Sequence, residues 1–136
     1  MLAAQLTWFM TSMTALPAKG KAMEIVVETC SADVTILHIN GRLDLLTSAE
    51  LKQCVSDLVD SQQCRIIIDL SGCSYIDSSG LGVMIGCLKL ARRGGGDLQI
   101  ARPAAQARVI LELTTLNRVL RPHDSLEAAL ASFASS

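Results

Sequence analysis

Apolar residues recur along this chain in two rhythms, short β-branched runs and longer stretches with helical spacing. Residues 24–28 and 34–39 are rich in Val, Ile, Thr and Leu and flank Ser31-Ala32-Asp33, which predicts a hairpin. Asn40-Gly41 is expected to break the second strand. Thr47 followed three residues later by Glu50 has the form of a capping box, opening a helix to about residue 59. Ala49, Cys54 and Leu58, with Leu51 and Val55, would form its apolar face.

Arg65-Ile66-Ile67-Ile68-Asp69-Leu70 is a run of the kind buried on both faces of a sheet, and predicts a central parallel strand. Residues 71–77 read as a loop, after which Ser78 or Ser79 opens an apolar helix over 80–91. Arg92, Arg93 and Gly94-Gly95-Gly96 close it. Next come a strand over 98–101, a helix over 104–113 after Pro103, a brief strand at Val119-Leu120, and a last helix over 125–133 capped by Asp124 or Ser125. The order β-β-α-β-α-β-α-β-α predicts a single α/β domain with a mostly parallel central sheet and right-handed crossovers.

At 136 residues the chain is the length of one compact domain. Only 3% of it is aromatic, so aliphatic side chains must build the interior. A net charge of −1, with no Lys/Arg cluster interleaved with aromatics, argues against a nucleic-acid partner. Cys30, Cys54, Cys64, Cys73 and Cys87 are an odd number without a C-x-x-C pair, which fits free thiols in a reducing cytoplasm. Residues 1–22 read as an N-terminal extension to a domain over 23–136, with Met23 an alternative start. The apolar stretch 1–16 has no basic residue before it and is interrupted by Gln5, Thr7, Thr11 and Ser12, so neither a signal peptide nor a membrane span is expected.

The candidate chemistry centres on Tyr75-Ile76-Asp77-Ser78-Ser79-Gly80-Leu81-Gly82, which carries two hydroxyls into a helix start. One reading is a plain N-cap. The other is a phosphorylation site, because a helix N-terminus stabilises a phosphate on Ser78 through backbone donors, with Asp77 and Asp44 making the surroundings acidic. Gly80, Gly82 and Gly86 imitate a dinucleotide-binding pattern, but no acidic residue follows at the right distance and no length remains for a substrate domain. His38 and His123 lack a metal or triad context, the cysteines lack ligand spacing, and no G-x-S-x-G elbow surrounds Ser78 or Ser79. No enzyme activity, cofactor or metal is expected.

Four features in order resemble the STAS family, and within it the bacterial anti-sigma factor antagonists. They are Asn40-Gly41-Arg42-Leu43-Asp44 with Thr47 and Leu51, the run 65–70, Asp77-Ser78-Ser79-Gly80-Leu81-Gly82, and the glycine triplet before a strand, with 124–130 similar to the family's ending. The resemblance implies that Ser78 is the kinase target, with Ser79 as fallback. It also implies that Asp44, Asp77, Ser78, Ser79, Gly80, Leu81 and Gly82 meet the partner, Gly80 and Gly82 by letting it approach. The implied cycle is binding of an anti-sigma factor serine/threonine kinase, release on phosphorylation, and resetting by a PP2C-type serine phosphatase. A STAS scaffold or accessory subunit, in a stressosome or attached to a transporter, is the alternative. Arg42 stands where these antagonists often carry Glu, and Thr115 where relatives place a glycine, which predicts a strained or rearranged helix end there.

Overall fold

The computed structural model describes residues 23–30 and 33–134. The expectations for residues 1–22, and Ser31 and Ala32 of the predicted turn, lie outside them. In chain order the elements are β1 (Met23–Cys30), β2 (Val34–Leu43), α1 (Ser48–Asp60), β3 (Arg65–Ile76), α2 (Ser78–Arg93), β4 (Asp97–Ala101), α3 (Ala105–Leu113), α4 (Asn117–Leu120), β5 (Pro122–His123) and α5 (Leu126–Ala134). The sheet runs β1-β2-β3-β4-β5, with β1 antiparallel to β2 and all other pairs parallel. The 65–70 run is its central strand, as expected.

Side chains alternate across a strand, and this chain uses both faces. Leu37, Ile39, Ile66, Ile68, Leu98 and Ile100 pack under α1 and α2, against Leu51, Val55, Met84, Cys87, Leu88 and Ala91. Val34, Ile36, Ile67 and Ala101 pack against Ala129 and Phe133 of α5. Arg65 covers the rim of this second core, its guanidinium 5.3 Å from the Phe133 ring centre and bonded to the Phe133 carbonyl at 2.6 Å.

Four expectations about local structure are corrected. Asn40-Gly41 does not end β2, because β1 continues to pair there and Gly41 takes φ 112, absorbing the register shifts against β3. Residues 71–76 are strand rather than loop, and Gly72 makes room for the continuation, since a Cβ there would lie 2.0 Å from Asn40 Oδ1. Thr47 is the N-cap of α1 but makes no side-chain capping bond, its hydroxyl donating instead to the Arg42 carbonyl at 2.8 Å. Val119-Leu120 belongs to α4, and the edge strand follows at Pro122–His123.

Candidate functional site

The extended ends of β2 and β3 run side by side to Leu43 and Ile76, so the loops after them meet. Asp77, rather than Ser78 or Ser79, is the N-cap of α2: its backbone is extended and its Oδ1 accepts from Gly80 N–H at 2.9 Å. The second oxygen of the same carboxylate accepts from Leu45 N–H at 3.3 Å, tying the β2–α1 loop to the start of α2. No cation pairs with Asp77 among the described residues.

Asp44 organises the neighbouring loop. Its carboxylate accepts from the backbone of Leu46 at 3.0 Å and Thr47 at 3.3 Å, and lies 3.4 Å from Arg42 Nε, while Thr47 Oγ1 accepts from Asp44 N–H at 2.9 Å. Desolvation pushes the Asp44 carboxyl upward, but the bonds from Arg42, Leu46 and Thr47 outweigh it and hold the group below its ordinary range. The Arg42 guanidinium also lies over the Tyr75 ring, 4.6 Å from its centre.

Within this frame Ser78 is exposed and Ser79 half-buried, so Ser78 is the more accessible of the two serines. Gly82 is exposed, with nothing within 4 Å of where a Cβ would project. Gly80 and Leu81 are buried in the protein on its own, with Leu81 7% exposed. The missing side chain of Gly80 serves the protein's own packing, for a Cβ would lie 2.4 Å from the Leu43 carbonyl oxygen, and Leu81 belongs to the core under the sheet.

Sequence reading overlooked Leu45 and Leu46, 73% and 85% exposed beside Asp77. Two consecutive leucines immediately after the Asp44 turn were the available signal. It also overlooked a buried carboxylate on the opposite sheet face. Asp69 accepts from Arg102 at 2.6 and 3.1 Å and from Ser71 N–H at 3.1 Å, and lies 2.7 Å from His38 Nδ1. Burial pushes its carboxyl up, and the bonds from Arg102, His38 and Ser71 hold it below its ordinary range nonetheless. The other His38 nitrogen lies 2.8 Å from Glu28, while His123 Nε2 lies 2.6 Å from Gln99 Oε1.

Both histidines thus sit in structural polar contacts, and among the described residues no group of His, Cys, Asp and Glu is arranged to hold a metal. All five cysteines are free; burial pushes Cys54 and Cys87 up to about 12, so both thiols stay protonated near neutrality. No helix among the described residues is long and apolar enough to cross a membrane.

The comparisons with known proteins agree with this architecture. A family model described as STAS domain matches residues 26–129. The chain is 29% identical over 98 residues to an anti-sigma F factor antagonist of Paenibacillus polymyxa, covering 71% of this chain and 84% of that one. It is 26% identical over 106 residues to an anti-sigma-B factor antagonist of Staphylococcus aureus, covering 77% and 98%. A crystal structure from Thermotoga maritima, provisionally described as an anti-sigma factor antagonist, superposes with a TM-score of 0.76 at 27% identity over 81% of this chain and 94% of that one.

Proposed function

This chain belongs to the STAS domain family, and from that premise we propose that it acts in the cytoplasm as an anti-sigma factor antagonist switched by phosphorylation of Ser78. Unmodified, it binds a serine/threonine-kinase anti-sigma factor and so frees a sigma factor; phosphorylated, it lets the kinase go; a PP2C-type phosphatase restores the serine. The chain catalyses nothing in this cycle. The observation that carries the reading is the exposed residue Ser78 in the first turn of α2, beside a capping aspartate, in a chain similar to proteins named as such antagonists.

The physics of the switch is local. A phosphoserine adds about −1.5 to −2 charges near neutrality, and the start of a 16-residue helix tolerates them. The same charge inside a close interface brings like-charge repulsion and loss of hydration, a penalty of several kcal/mol. Since about 1.4 kcal/mol is tenfold in affinity, one phosphate shifts binding by orders of magnitude without unfolding the domain.

The test is capture from source-cell lysate with wild-type, Ser78→Ala and Ser78→Asp baits, identifying partners and modified residues by mass spectrometry. A kinase-like partner held by wild type and Ser78→Ala, lost with Ser78→Asp, together with phosphate on Ser78, is the expected result. Identical partners on all three baits with an unmodified serine would instead make the chain a scaffold or accessory subunit with constant contacts.

A further inference from the structure

We propose, on the basis of that reading, that Leu45 and Leu46 are the anchor by which this chain holds its kinase partner, and that Asp77 tethers the anchor to the phosphorylated helix end. Large apolar side chains on a mobile loop tend to fold back onto the nearest apolar surface. These two remain 73% and 85% exposed because the turn beneath them is fastened at both ends. Asp44 Oδ1 takes the N–H groups of Leu46 and Thr47, Ser48 Oγ donates to the Asp44 carbonyl at 2.6 Å, and Asp77 Oδ2 takes Leu45 N–H from across the site. The ordering entropy that a partner would otherwise face is thus already met within the free protein. Paired apolar side chains presented in this way have the character of an interface hot spot.

Charge narrows the occupant. The leucines lie between Asp44, which Arg42 already neutralises, and Asp77, which has no cation among the described residues. A fitting partner offers an apolar pocket bordered by a cation that meets Asp77. A protein that transfers phosphate to Ser78 needs cations there to stabilise the transferring group. The kinase partner therefore has the complementary chemistry.

The tether gives phosphorylation a second route to release. One Asp77 carboxylate serves both Gly80 N–H and Leu45 N–H. A phosphate on the adjacent Ser78 repels that carboxylate and competes for the amides of the first turn, Gly80 among them. Once Asp77 gives way at Gly80, its bond to Leu45 goes with it, and the anchor loses its fixed position.

Two measurements test this. Leu45→Ser and Leu46→Ser, at exposed positions that leave the core intact, are titrated against the purified kinase retained by the Ser78→Ala bait, with Ser78→Asp alongside. Leu45 amide exchange is followed by NMR in unmodified protein and in protein carrying phosphoserine at position 78. The expected results are at least tenfold weaker binding for each leucine variant, with unchanged melting, and at least tenfold faster Leu45 exchange in the phosphoprotein. Wild-type affinity in the leucine variants while Ser78→Asp is released overturns the anchor and leaves the switch standing. Unchanged Leu45 exchange overturns the tether. Wild-type binding by Ser78→Asp overturns the switch itself.

Discussion

Gln106 supplies Ile76 with the hydrogen bonds of a missing strand: its Oε1 accepts from Ile76 N–H at 2.9 Å and its Nε2 donates to the Ile76 carbonyl at 3.0 Å. β4 pairs with β3 only as far as Ala101 opposite Asp69, so the rest of that edge lacks a strand neighbour. The clamp closes one residue before Asp77. Gln106→Ala leaves two backbone groups without their partner, and should lower stability by about 2 kcal/mol. Denaturant melts and faster exchange of the Ile76 amide check this; unchanged values for both would show that water replaces the glutamine without cost.

Asp69 contributes stability that depends on pH. Its folded carboxyl sits below the ordinary value of about 3.9 found in an unfolded chain, so the contribution is fully present above roughly pH 4 and fades as pH falls through the folded pKa. Asp69→Asn keeps the shape but turns a donor toward Arg102 and His38, and should cost about 2–4 kcal/mol at pH 7. The gap between wild type and Asp69→Asn should narrow as urea melts are taken from pH 5 down to pH 2. A gap constant across that range rejects the assignment.

Gly80 and Gly82 should respond oppositely to alanine. A Cβ on Gly80 meets the Leu43 carbonyl oxygen at 2.4 Å, forcing α2 away from β2 at a cost of about 1–3 kcal/mol. Gly82→Ala places its methyl in open space within a helix, where alanine is favoured over glycine by up to about 1 kcal/mol. Thermal melts of the two single variants should therefore move in opposite directions.

Thr115 carries strain in the turn after α3. With φ 59 it holds a left-handed conformation that a β-branched residue adopts at a cost of roughly 1–2 kcal/mol. The helix end thus keeps its left-handed turn and is strained rather than rearranged. Thr115→Gly should stabilise the protein by about 1 kcal/mol after the unfolded chain's added entropy is counted, raising the melting temperature by roughly 4 °C. A fall in melting temperature would mean that the threonine side chain contributes more than its backbone costs.

Element type and order were legible where local chemistry is decisive. The β-branched run 65–70 has only a buried strand as a low-energy home, and the glycine triplet stops α2 at Gly94 as expected. The candidate loop was legible for the same reason, since Asp77-Ser78-Ser79 marks a helix start wherever it folds.

What only the tertiary structure decided were the ends of strands, the choice among competing caps, and exposure. β2 and β3 continue past Gly41 and Ser71 because each has the other beside it, and a strand's length is set by neighbours that local sequence does not name. Three adjacent residues were chemically able to cap α2; the packing of Gly80 on Leu43 and the bond from Leu45 favour Asp77. Leu45 and Leu46 look like core in one dimension and stand in solvent in three, because residues more than thirty positions apart in sequence fasten the turn that carries them. Periodicity records which face a side chain occupies, and hydrogen bonds across the fold determine whether anything covers that face.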